Sequence, residues 1–193
     1  RTDRIISSCA TFGWCNPATQ RSNAAYFASE DSRMRFRITG LDPQQFRHLR
    51  DLPADQLALH GARRVVADSA PGFPDRITLR DAMPGESLLL LNYTHQNADN
   101  AYRSSHAIFI LEDAALPFDA VDCVPPALQM RVLSLRAFDA QHDMIDAALT
   151  PGAELASRID VMFADPRARY LHVHYATRGC YAARVDRLAG STS

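Results

Sequence analysis

A period-two alternation runs through the segment 169–187 and constrains the fold more than any other feature of the chain. Leu171, Val173 and Tyr175 fall on one side of an extended backbone, and Tyr170, His172 and His174 on the other. A second run follows, in which Tyr181, Ala183 and Val185 alternate with Cys180, Ala182 and Arg184. The two runs read as a β-hairpin whose loop length decides which faces coincide, because a slip of one residue exchanges them. A three-residue loop of Thr177, Arg178 and Gly179 uses glycine for the left-handed position such loops need and sets Tyr175 against Tyr181, Val173 against Ala183 and Leu171 against Val185. One face is then apolar. The other carries His172, His174, Ala176, Cys180 and Arg184, with Cys180 diagonal to His174.

Upstream, the same reasoning predicts a strand over 34–39, with Phe36 and Ile38 inward, and a short helix capped by Asp42 with Pro43 at its first position. A strand is expected over 62–67. Residues 77–79 and 87–93 are expected to pair around the turn of Met83, Pro84, Gly85 and Glu86. Leu88 to Leu91 form an apolar run suited to a strand buried on both faces. Residues 94–102 read as a polar functional loop, 105–111 as a strand, 112–126 as a loop without structure, and 132–139 as a further strand. Two helices are predicted over 141–149 and 154–163, the second with Leu155, Ile159, Met162 and Phe163 on one face and the first capped by Asp139. The expected fold class is α+β, a single domain with a mostly antiparallel β-sheet and two or three short helices. The expected division is a non-native or disordered N-terminal extension over 1–33, the domain over 34–188 and a tail over 189–193.

Composition narrows the chemistry. All 21 cationic side chains are arginine, so lysine Schiff bases, pyridoxal phosphate anchoring and P-loop lysines are excluded together. A formal net charge of -1 gives no basic excess of the kind that recruits nucleic acid or anionic membrane, and neither is an expected partner. No apolar run approaches the roughly 20 residues of a membrane helix, and the start lacks a secretory pattern. The expected location is the cytoplasm. Four cysteines without CxxC pairs suggest reduced thiols, not a disulfide framework or zinc knuckle.

Segments 76–93, 101–110 and 170–187, with the Pro84-Gly85-Glu86 turn and the closing Gly179-Cys180-Tyr181 after a histidine-rich strand, resemble the bacterial family called domain of unknown function 1203. The resemblance covers roughly residues 34–187. It implies a small bacterial cytosolic protein and brings no catalytic residues with it.

Three chemistries are open to the residues. In the leading one Cys180 is a nucleophile on a small polar metabolite, with His174 and His172 as catalytic partners and Arg178, Arg184, Tyr102, His95 and Tyr170 binding the substrate. The alternative is a non-catalytic module that holds a small anion on arginine and histidine. The third is a metal site on His172 and His174 completed by His95, His106 or Glu112. Against it, the cupin pattern places glutamate four residues after the second histidine, where this chain has Arg178. The expectation is therefore a small-molecule ligand, no metal and no cofactor, with a homodimer as the candidate assembly.

Overall fold

The computed structural model describes residues 35–188. The chain opens with β1 (Phe36–Thr39), a 3-10 turn over Pro43–Leu49 and α1 (Ala54–Leu59). Next come β2 (Arg63–Val66), β3 (Ser87–Gln96), β4 (Ser104–Leu111) and β5 (Asp119–Val121). Then follow α2 (Pro126–Gln129), β6 (Val132–Phe138), β7 (Met144–Pro151), α3 (Leu155–Phe163), β8 (Tyr170–Tyr175) and β9 (Tyr181–Arg187). A six-stranded sheet has the order β5-β1-β9-β8-β6-β7 and a three-stranded sheet the order β2-β3-β4. Every pairing between these strands is antiparallel, as the alternation predicts.

Two apolar cores follow from the pattern. Leu155, Ile159, Met162 and Phe163 recur at helical spacing, so α3 presents one stripe to Leu133, Leu135, Leu171, Val173 and Val185 of the large sheet. Each such side chain contributes roughly 1.5–3 kcal/mol by leaving water. The second core lies on the small sheet, where Phe46, Leu49 and Leu57 cover Leu89, Leu91, Ile108 and Ile110. Asp42 caps the 3-10 turn by accepting from Gln44 N–H at 2.9 Å.

Several expected elements differ. Residues 144–151 form edge strand β7 instead of a helix. Asp139 accepts from the N–H groups of Gln141 and Asp143 and His142 takes φ 66°, so the segment after β6 turns back as a hairpin before a helix can start. Residues 77–79 form no strand, because the Asp75 carboxylate takes the N–H groups of Ile77, Thr78 and Leu111 and winds the backbone around itself. The segment 112–126, expected as a loop, contributes β5, paired with β1. Strand β3 runs on to Gln96, so His95 belongs to a sheet and not to a loop. Cys180 is a free thiol while Cys123 is disulfide-bonded, since spacing along the sequence carries no information on proximity in space. The proposed extension and tail lie outside the described residues.

The closing hairpin departs from its expected register. Tyr175 donates its N–H to the Cys180 carbonyl at 3.0 Å, which closes a four-residue loop, and Gly179 holds φ 70° within it. A bulge then restores the phase, with His174 opposite Tyr181 but Val173 opposite Ala183. Ala182 and Ala183 both enter the core beneath α3. Tyr181 therefore sits on the histidine side, and Cys180 packs on the side of Tyr175.

Candidate metal centre and adjoining cleft

Strand β8 is buried along its whole length, with α3 covering one face and the small sheet the other. His172 and His174, at i and i+2, point into the layer between the two sheets and are 1% and 0% exposed. The small sheet answers with two more. His106 lies on β4, and His95 is the extra residue at the irregularity between Thr94 and Gln96 on β3, where a bulge turns its ring inward. His95 stacks on His106 at 4.8 Å between centroids and on Tyr181 at 4.9 Å. The rings of His174 and His172 meet His95 edge-on at 5.0 and 5.4 Å.

The nitrogens of this layer can be followed one by one. His174 Nδ1 lies 3.1 Å from the Gly179 carbonyl, which only accepts, so Nδ1 carries the proton and Nε2 keeps a lone pair. That Nε2 is buried without a partner. His95 Nε2 and His106 Nδ1 share a hydrogen bond of 2.8 Å, and His95 Nδ1 is buried without a partner. His172 Nδ1 has none either. One ligand atom from each of His95, His172 and His174 lies within 4.8 Å of the others. A zinc ion at about 2.0–2.1 Å from each nitrogen wants them about 3.4 Å apart, closer than the 4.8 Å within which the set lies, so ligation would draw the rings together.

Burial favours the uncharged rings, as metal ligation requires. It pushes His172 down to about 2, His174 to about 3 and His95 to about 4, with Arg136 adding its repulsion in each case. Arg136 stands directly across from His172 on β6. Its charge weakens any cation held by three neutral imidazoles and favours an anion in the remaining coordination position.

Cys180 and His174, expected as a pair, are not joined by a hydrogen bond. Cys180 Sγ accepts from Arg76 Nη2 at 3.1 Å, while His174 faces Gly179. The longer loop is the cause, since it places Cys180 opposite Tyr175. Cys180 and Arg178 instead line a cleft of about 980 Å³ with Arg63, Arg76, Arg131 and Tyr175, which also reaches His106. Arg184 is turned away from that cleft, over the Tyr170 ring at 3.9 Å and bonded to Asp186. The Tyr170 hydroxyl bonds to Gln96 and His142, and Tyr102 packs edge-on against Phe138. Thus His95, His172 and His174 converge, Arg178 and Cys180 share an adjoining cleft, and Arg184, Tyr170 and Tyr102 do not line that cleft.

Sequence reasoning missed Arg76, Tyr175, Arg131 and Arg136. Arg76 is buried, yet it sits beside Asp75 in a stretch without periodicity, and nothing local distinguishes it from a surface arginine. The alternation puts Tyr175 on the apolar face, and its hydroxyl there is buried without a partner.

Fold and layer together define an α+β protein in which two antiparallel sheets enclose a cluster of histidines. Over residues 72–187 the chain matches the family described as protein of unknown function, DUF1203, and it belongs to that family. No curated protein and no solved structure matches it.

Proposed function

We propose that the protein binds a divalent transition-metal ion of the zinc and copper group through His95, His172 and His174, and that this centre is its working site. The observation that carries the reading is the convergence of the buried His172 and His174 with the half-buried His95, each with a buried nitrogen that has no partner. Buried polar atoms are nearly always paired, and each left unpaired costs about 1–3 kcal/mol. With the protons of His95 and His172 on their far nitrogens, as Gly179 holds that of His174, three lone pairs meet; a single water donates to two of them at most, whereas one cation accepts all three. Neutral imidazoles suit zinc, copper, nickel and iron(II). Three protein ligands leave a position for water or a small molecule, the pattern of catalytic zinc as opposed to structural zinc. His106 supports His95 from outside, as partners of ligating histidines do. The reading departs from the expectation of a metal-free cysteine site.

Tag-free protein stripped with chelator and titrated calorimetrically with Zn²⁺ and Co²⁺ should take up one equivalent. Cobalt should give the intense visible bands of a low-coordinate site. The His172→Gln/His174→Gln variant, checked for folding by circular dichroism, should lose that equivalent. Wild-type protein that takes up no metal, or a double variant that binds as well as wild type, would sink the reading.

A further inference from the structure

The cleft beside the histidine layer carries positive charge that its own walls do not neutralise. Arg63, Arg76, Arg131 and Arg178 line it with His106, and among the described residues no aspartate or glutamate does. Arg131 is held in a bidentate pair by Asp81. Arg76 is not compensated in this way. It is 1% exposed, and its guanidinium donates to the Tyr181 carbonyl at 2.9 Å, to the Pro74 carbonyl and to Cys180 Sγ, with no carboxylate among its described partners. Buried cations are ordinarily matched by an acid. Three hydrogen bonds also leave two of its five N–H groups unused.

A second observation points to the same place. Tyr175 is 5% exposed and lines the cleft, yet its hydroxyl has no hydrogen-bond partner. The guanidinium carbons of Arg76 and Arg131 lie 5.0 and 5.2 Å from its ring centroid. A buried O–H without a partner, on a ring that two guanidinium groups approach, supplies a donor beside two cations, the combination that suits an anion. Arg178, exposed on the hairpin loop, stands at the rim, and Phe109 and Met130 provide apolar wall for a carbon skeleton.

The geometry points to a binding site for a small organic anion with at least two negative charges, a dicarboxylate or a phosphorylated metabolite, held by Arg76, Tyr175 and Arg178. The volume of about 980 Å³ is in the range of small-molecule sites. The assignment is independent of any metal, because none of these three residues is a proposed ligand.

The test uses the full, tag-free chain stripped of metal, in buffer free of phosphate and carboxylate, titrated calorimetrically with malonate and with inorganic phosphate. At least one should bind saturably; tighter malonate assigns the carboxylate class and tighter phosphate the phosphoryl class. Tyr175→Phe removes only a hydroxyl without an internal partner, so it should leave the unfolding midpoint in place and weaken binding about fivefold. Arg178→Gln should weaken it about tenfold. Because the protein is stripped of metal throughout, this result stays separate from that for the metal. Saturating probe should slow alkylation of Cys180 by iodoacetamide. Absence of saturable binding by both probes, equal affinity in both cleft variants, or unchanged alkylation at saturation would each overturn the assignment.

Discussion

A histidine offers two nitrogens, and the partner of one decides what the other can do. The Gly179 carbonyl fixes the His174 proton on Nδ1, and His106 stands where it can fix that of His95 on Nε2. His106 is thus a positioning residue. Its replacement by alanine should lower metal affinity about 10–100-fold while the one-to-one stoichiometry is kept. His106→Gln, which can still accept from His95, should recover part of the loss in the same titration. Elsewhere, Glu112 accepts from Arg64 at 2.6 and 2.7 Å and from Ser87, so it joins the ends of three strands. The Arg64 guanidinium holds its carboxyl below the ordinary range. A depressed carboxyl pKa contributes stability that is present above its unfolded value, about 4.3, and lost as pH falls through the folded one. Glu112→Gln should therefore cost about 1 kcal/mol at pH 7, discounted for the partly exposed arginine. In denaturant unfolding curves that difference should shrink to nothing in acid, and a deficit that persists there would show the carboxylate charge to be irrelevant.

At the level of elements, alternation and helical spacing carried most of what the sequence reveals. β1, β6 and α3 were legible because each buries one regular face, and β8 because its apolar and histidine side chains alternate strictly although both of its faces are covered. β7 was not, since it is an edge strand with Leu149 exposed, and its Ile145 and Leu149 repeat at a spacing that also suits a helix. The registers of β3 and β9 were hidden for another reason: each has an irregularity of one residue that no local pattern announces. Two substitutions probe the joints. At Gly152 a Cβ would press into the backbone carbonyl of Leu128, so Gly152→Ala should destabilise by about 2–3 kcal/mol, measured by urea unfolding. Ile159→Ala, which empties part of the stripe that α3 lays on the large sheet, should cost about 2–5 kcal/mol.

Across the whole molecule, the candidate site is the seam between two sheets. His172 and His174 were visible as a pair because they share one strand; His95 comes from the other sheet, and only the packing of one sheet on the other shows that it completes the set. A ligand gripped by both sheets stabilises the folded state by mass action, by about 2.7 kcal/mol at one hundred times its dissociation constant. Calorimetric scans with zinc should raise the unfolding midpoint of wild type and leave that of the His172→Gln/His174→Gln variant unmoved. The formal charge of -1 describes the chain but not its surface, since the cleft gathers four arginines and among the described residues no carboxylate lines it.

The hairpin of β8 and β9 contains two errors of parity that cancel. Its loop is one residue longer than its faces require, and the bulge at Ala182 removes the surplus before the strands reach the core. The root of the hairpin is therefore insulated from its tip. A single deletion in the loop could be absorbed by straightening the bulge, which would leave Leu171 against Val185 while swinging Tyr181 away from His95. Removing one residue from this loop should therefore leave the folded core in place while taking the Tyr181 ring off His95.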